Sequence, residues 1–223
     1  MSADAGRVGI PFVVAAASGT GKTTVCREAI ERNRERGGSP IEFSISHTTR
    51  RRRSGEVDGG DYHFVSVQEF QGLVVADAFL EWAVYNDNLY GTSWRAIDEP
   101  LVDGRDVLLE IEIQGASQVR ARRSDARFLF LLPPSMGALA ERLRARGTDT
   151  PEQIAGRLER ARRELEAAAG FDYAVVNDDF DRCVDQVLEI IEGERSGEVE
   201  GLRRRFAPGP ALEALRSEEA AGH

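Results

Sequence analysis

Lysine is all but missing from this chain: of 29 basic residues among 223, only Lys22 is lysine and the rest are arginine. Cysteine is scarce too, and Cys26 and Cys183 have neither CxxC spacing nor a histidine nearby in sequence. Nothing here suggests a disulfide framework or small zinc module, and both thiols read as core or helix residues of a reduced cytoplasmic protein. No apolar run approaches the roughly 20 residues of a membrane span. The first residues lack a basic segment followed by an apolar stretch and a cleavage site, so a soluble chain without a secretory leader is expected. Excess positive charge is also lacking. A net charge of −9 argues against a general nucleic-acid or anionic-membrane binder, and the length suits one domain with insertions.

The residues present organise themselves around Phe12–Val25, FVVAAASGTGKTTV. An apolar strand runs into Gly19 and Gly21, and Lys22-Thr23 open a helix, the order of a Walker A phosphate loop. Backbone N–H groups wrapping phosphates need residues without a Cβ at the closest approach, and a helix N-terminus adds partial positive charge. Candidate triphosphate-binding residues are therefore Ala16, Ala17, Ser18, Gly19, Thr20, Gly21, Lys22, Thr23 and Thr24. Lys22 is expected to reach the β- and γ-phosphates and Thr23 to ligate Mg²⁺. The first position of the GxxxxGK[ST] pattern holds Ala16, which is compatible if its φ is negative. A chain using arginine everywhere else keeps one lysine where a compact ammonium fits between phosphates. The competing reading is a Gly-rich strand-to-helix turn without a ligand.

Along the chain, residues 1–9 read as a flexible lead and a helix from Thr23 to Arg36 stops at Gly37-Gly38. Ile41–Ser46 alternates as a strand, Ser66 with Glu69 forms a capping box for a helix to Val75, Phe79–Val84 is a strand and Tyr90-Gly91-Thr92 a turn. From Ser93 helices alternate again with apolar strands: a helix over Trp94–Val102, strand Asp106–Ile113, helix Ala116–Arg123 and strand Phe128–Leu132. Helices to Arg146 and over Pro151–Ala169, a strand over Tyr173–Val176 and a final helix over Asp181–Glu192 follow. Buried strands alternating with helices imply an α/β fold, a parallel sheet covered by helices on both faces. The polar strands of residues 41–92 read as a small inserted β-rich lobe between core segments 10–40 and 93–206, and residues 207–223 as a loose tail.

Arg50–Arg53 is a run of four arginines followed by Gly55, Gly59, Gly60 and Tyr62. Such a run is either a solvated or nucleic-acid-binding patch or, given the acidic chain, a clamp for a substrate phosphate. Glu110 and Glu112 alternate with apolar neighbours on one expected strand, where a carboxylate beside a phosphate loop holds Mg²⁺ and its waters. The segments ISHTTRRRRSGEVDGGDYHF, FLEWA, YGTS, RARGTDT and VVNDDFD together resemble guanylate kinase, over Ile10–Glu194. The resemblance implies ATP and GMP as substrates, Mg²⁺ as cofactor and direct in-line phosphoryl transfer. It implies that Ser46, Arg50, Arg53, Tyr62 and Tyr90 hold the GMP phosphate, and that Glu81 and Thr92 read guanine. A carboxylate suits the adjacent N1–H and N2–H₂ donors, and a hydroxyl can donate to O6. The family has aspartate where this chain has Glu110, near the metal, and Glu112, at the guanine nucleotide. Arg146 and Arg157, within a lid region of about 143–165, flank its mobile part around Gly147–Pro151 and would close over the transferred group, and Asn177 is an adenine-side candidate. Arg142 is a third candidate for that closure, and its competing reading, shared with the remaining helix arginines, is a surface partner of Glu.

Two other functions compete: a related small-molecule kinase with AMP or a sugar phosphate as acceptor, and a non-catalytic guanylate-kinase-like binding module. Lys22 and Thr23 speak against the second, and no NKxD segment supports a GTPase.

Overall fold

The computed structural model describes residues 7–145, 147 and 150–221. Its elements in chain order begin β1 (Pro11–Ala16), α1 (Lys22–Glu35), β2 (Ile41–Phe43), β3 (His47–Thr48), β4 (His63–Phe64), α2 (Val67–Val75), β5 (Phe79–Tyr85) and β6 (Asn88–Ser93). They continue α3 (Arg95–Val102), β7 (Asp106–Glu110), α4 (Ile113–Arg122), β8 (Arg127–Leu132), α5 (Met136–Ala145), α6 (Pro151–Ala167) and β9 (Tyr173–Val176). Three helices end the chain: α7 (Phe180–Ser196), α8 (Val199–Arg205) and α9 (Pro208–Ala221). The strands form a five-stranded sheet, β2-β7-β1-β8-β9, and a four-stranded one, β4-β3-β6-β5. Two compact units result: Gly37–Ala126 with the chain up to Val13, and Val14–Arg36 with Arg127 onward.

In the first unit β2 and β7 run parallel, with Ile41 opposite Asp106 and Phe43 opposite Leu108. Membership of β2 in the five-stranded sheet corrects the expectation that polar strands from Ile41 onward belong to the insert. It is an edge strand with only Ile41 buried, and a half-solvated edge carries the same alternation as a small exposed sheet. The strand also stops at Phe43, short of Ser46. The small sheet pairs β5 with β6 and β3 with β6 antiparallel, and β3 with β4 parallel. Helix α2 starts on the capping box of Ser66 and Glu69 and rests on this unit through buried Phe70, whose ring stacks on Phe79 at 4.5 Å.

Tyr90-Gly91-Thr92 is not the turn. Asn86 and Asp87, at φ 46° and 60°, make a two-residue hairpin between the paired Tyr85 and Asn88, the primed geometry that matches strand twist. Gly91 lies inside β6 because a Cβ there would stand 3.0 Å from Phe70, Phe79 and Trp82. β7 ends at Glu110 and Glu112 is the extended N-cap of α4. The two glutamates therefore do not share a strand face, because residues 113–122 bury Gly115, Ala116 and Val119 at helical spacing.

In the second unit β8 and β9 pair parallel, Leu129 with Tyr173 through Leu132 with Val176. Helix α6 starts on the capping box of Thr150 and Gln153 with Pro151 at its head, as the sequence predicts. The expected loose tail is instead helix α9, with Leu212 and Leu215 buried. Two leucines at i,i+3 in a charged, Ala-rich segment are a weak signal, and they count only because α9 packs on β9 and the 3₁₀ turn Ala168–Gly170. Ahead of α9, the Ala174 N–H of edge strand β9 donates to the Phe206 carbonyl at 2.8 Å, which covers an otherwise open strand edge.

Candidate functional site

The phosphate loop belongs to the second unit. β1 delivers buried Ala16 and Ala17, and Ala16 is absent from the residues with positive φ, so alanine fits where the pattern has glycine. Gly19 and Gly21 do take positive φ, 99° and 95°. A side chain at Gly19 would also stand 3.0 Å from Leu139 and Leu143 of α5. The Thr20 N–H and hydroxyl both donate to the Ala17 carbonyl, at 3.1 and 2.7 Å, closing the turn. Helix α1 then begins at Lys22 with Gly21 as N-cap, no side-chain cap and no acidic residue in its first turn. A helix start of this kind offers N–H groups and partial positive charge to an anion. Lys22 is half-buried, and Thr23 and Thr24 are exposed on that turn.

Two residues brace the loop. Buried Asn177, after β9, donates its amide N–H to the Thr20 carbonyl at 2.7 Å, and Arg142 donates to the Asn177 carbonyl at 2.8 Å. Asn177, the expected adenine-side residue, thus holds the loop itself. Arg142 serves that hold and is not the surface partner of a glutamate. The second brace was invisible in the sequence: Glu164 of α6 accepts the Ser18 N–H at 3.0 Å across 146 residues. Arg157 lies on the same helix and is half-buried, whereas Arg160, Arg162 and Arg163 are exposed, the last two against Glu159. Arg146, the other expected closing residue, lies outside the described residues, as does part of the expected lid around it.

The expected GMP residues gather in the first unit. Glu81, 4% exposed on β5, accepts the Thr92 hydroxyl at 2.6 Å, and Ser46 Oγ lies 3.0 Å from Thr92 Oγ1. Ser46, expected at the GMP phosphate, thus stands against Thr92. Thr92 has one proton, directed at Glu81, and would have to turn it away to donate to a base. Room for the carboxylate comes from Gly115 of α4, where a Cβ would stand 2.3 Å from Glu81 Oε2. Gln118, one helical turn on, fixes α4 to β5 by accepting the Trp82 N–H at 3.2 Å and donating to its carbonyl at 2.7 Å. Arg122 donates to the Phe79 carbonyl at 2.7 Å, beside the bulge in β5. Neither Gly115 nor Gln118 figured among the expected site residues, although both follow directly on Glu112.

The arginine run divides. Arg51, Arg52 and Arg53 are exposed, while Arg50 forks onto Glu56 at 2.7 and 3.1 Å and lies 5.5 Å from the Tyr62 ring and 5.7 Å from that of Phe64. The Arg50 guanidinium holds the Glu56 carboxyl below its usual range, helped by the Arg53 backbone N–H. Tyr62 meets Tyr90 edge-on at 5.9 Å. Burial first, and then the Glu110 carboxylate, push the Tyr62 phenol up to about 12, so it is a neutral hydrogen-bond donor near pH 7. Glu110 and Glu112 are both half-buried. Cys26 and Cys183 are buried and in no disulfide, and burial pushes the Cys183 thiol up to about 12.

The guanylate kinase family model matches residues 9–194. Among curated relatives, the guanylate kinase of Syntrophotalea carbinolica is 45% identical over 188 residues, 84% of this chain and 87% of the relative. That of a Thermus thermophilus strain is 48% identical over 206 residues, 92% of this chain and 88% of the relative. Among solved structures, guanylate kinase from Anaplasma phagocytophilum superposes with a TM-score of 0.68 at 30% identity, covering 84% of this chain and 87% of that one.

Proposed function

This chain belongs to the guanylate kinase family and phosphorylates GMP at the expense of ATP, and we propose the following division of that work among its residues. The Gly19–Thr24 loop and first turn of α1 take the ATP phosphates, with Lys22 on the β- and γ-groups. Arg50, Arg53, Tyr62 and Tyr90 take the GMP phosphate. Arg50 then exchanges Glu56 for a phosphate, which its planar fork grips in the same two-bond manner. Glu81 reads the N1–H and N2–H₂ edge of guanine, and Thr92, itself in contact with Ser46, acts through it by holding its carboxylate in place. Glu112, at the head of α4, contacts the guanine nucleotide. The buried Glu81 carboxylate in the space left by Gly115 carries this reading. It accepts hydrogen bonds only, so adenine, which offers an acceptor at N1, would leave it buried and unpaired, a loss that discriminates strongly.

Transfer proceeds in line from ATP to a GMP phosphate oxygen that is already anionic, so no protein nucleophile is needed. Positioning and charge neutralisation do the catalysis, with Arg146 and Arg157 closing on the group in transit and excluding water. The Thr23 hydroxyl and Glu110 carboxylate are hard oxygen donors of the kind Mg²⁺ takes. The local negative charge of Glu110 is felt at the Tyr62 phenol. When bound, the ion would offset the negative charge of the phosphates. Nothing in the reading depends on the ribose 2′-hydroxyl, so dGMP serves as a second acceptor. No helix among the described residues is long and apolar enough to cross a membrane. A cytoplasmic enzyme with small-molecule partners, and neither nucleic acid nor membrane among them, completes the reading.

Release of ADP from Mg²⁺-ATP, coupled to an indicator reaction, tests it with GMP, dGMP, AMP, CMP and UMP offered in turn. Turnover with GMP and dGMP alone is expected. Comparable turnover with AMP would sink the role given to Glu81.

A further inference from the structure

We propose that Glu164 is a positioning residue for phosphoryl transfer: its carboxylate holds α6, and Arg157 with it, against the phosphate loop. The inference rests on the reading of Arg157 as a residue that closes on the transferred group. The contact that carries it is the Ser18 N–H donated to Glu164 Oε2 at 3.0 Å in a partly buried setting.

Three features of α6 give that contact a direction. The helix buries Ile154, Ala161 and Leu165 on one stripe, and Arg157 and Glu164 are half-buried on the same stripe. Seven residues separate them, so at 3.6 residues per turn they project within about 20° of each other. An anchor at Glu164 therefore sets the rotation of the helix about its own axis, and with it the side on which Arg157 emerges. The capping box of Thr150 and Gln153 fixes where the helix starts, so a rigid segment joins cap, arginine and anchor.

Packing alone does not account for a carboxylate at this position. Negative charge beside a loop that takes a triphosphate opposes nucleotide binding, and leucine or alanine would fill the stripe without that repulsion. A carboxylate does make a stronger bond to a backbone N–H than a neutral acceptor does. Glu164 holds the loop from α6 and Asn177 grips the Thr20 carbonyl from just past β9, so two parts of the chain fix two nearby parts of the turn.

Steady-state kinetics of Glu164→Ala, Glu164→Gln, Arg157→Ala and the double variant Glu164→Ala/Arg157→Ala test the proposal, with thermal melting as the control for folding. Glu164→Ala is expected to lower kcat by about 10- to 100-fold, the worth of one charge-assisted hydrogen bond, with KM for GMP within about twofold of the parent. Glu164→Gln, which keeps an acceptor oxygen on a side chain of equal length, should recover to within about threefold, since a neutral acceptor keeps part of the bond. The double variant should be no slower than Arg157→Ala, because both remove the same placed group. Should Glu164→Ala not fold, Glu164→Asp, one methylene short of the Ser18 N–H, is read in its place. Wild-type kcat in Glu164→Ala beside a slow Arg157→Ala overturns the clamp and leaves the Arg157 reading standing. Wild-type kcat in Arg157→Ala removes Arg157 from the reaction and the proposed coupling with it. Losses that multiply in the double variant show two independent roles and overturn the proposal.

Discussion

Gly115→Ala adds one methyl group to α4 and should damage the recognition of guanine without touching a ligand contact. The new Cβ would stand 2.3 Å from Glu81 Oε2 and 3.0 Å from its carboxyl carbon, where ordinary contact begins at 3.4 Å. Helix α4 cannot easily retreat, because Gln118 and Arg122 bind it to the backbone of β5. The carboxylate must therefore give by roughly 1 Å, and its 2.6 Å bond from Thr92 lengthens or breaks. A hydrogen bond to a charged group is worth about 1.5–3 kcal/mol, which at about 1.4 kcal/mol per factor of ten raises KM for GMP by roughly 10- to 150-fold. KM for ATP should stay within about twofold, since the phosphate loop lies in the other unit. Stability offers an internal control: alanine for glycine inside a helix gains about 0.8–1.0 kcal/mol in propensity, so a general collapse is not the expected route to lost activity. Initial rates with GMP varied at saturating ATP, beside calorimetric titration of GMP, make the measurement. A folded Gly115→Ala protein with the parental KM and Kd for GMP would refute the reasoning.

Lys22→Ala should lower kcat by about 10²-fold or more, as loss of a charge-stabilising group on the phosphates does, and leave GMP binding by calorimetry close to the parent. Loss of GMP binding together with activity would show that the lysine serves both ligands. Acid should weaken the Arg50–Glu56 pair. The Glu56 carboxyl is held below its ordinary value of 4.5, so its contribution to stability is fully present above that value and is lost as pH falls through the depressed one. Urea unfolding of Glu56→Gln should accordingly depend less on pH below 4.5 than the parent does, and identical profiles would contradict the assignment. Leu215→Ala, which empties a buried position on α9, should cost about 2–3 kcal/mol, the low end for a core leucine because the helix lies at the surface. An unchanged melting temperature would mean that α9 is no integral part of the unit.

Local chemistry made much of this legible. Gly19, Gly21 and Lys22 declare a strand-loop-helix phosphate site because positive φ and a helix N-terminus are properties of neighbouring residues. The capping boxes of Ser66 and Thr150 declare helix starts for the same reason. Misreadings arose where a residue's meaning came from elsewhere in the chain. Ile41–Phe43 looks like an insert strand until its pairing with β7 is known. Gly91 looks like a turn until Phe70, Phe79 and Trp82 are seen to crowd it. Glu110 and Glu112 look like one strand face until α4 is seen to begin between them and Ala116.

By itself, the sequence determined the α/β class, the phosphate loop and the family, because each depends on residue types at short, regular spacings. Only the tertiary structure decided how the side chains serve. Arg50 is neutralised by Glu56 while Arg53 is exposed, Thr92 donates a hydrogen bond to Glu81 in space left by Gly115, and Glu164 reaches a backbone N–H 146 positions away. Those are long-range choices among many partners of equal chemical merit. Sequence spacing cannot rank such partners, whereas packing leaves each donor and acceptor only a few within reach.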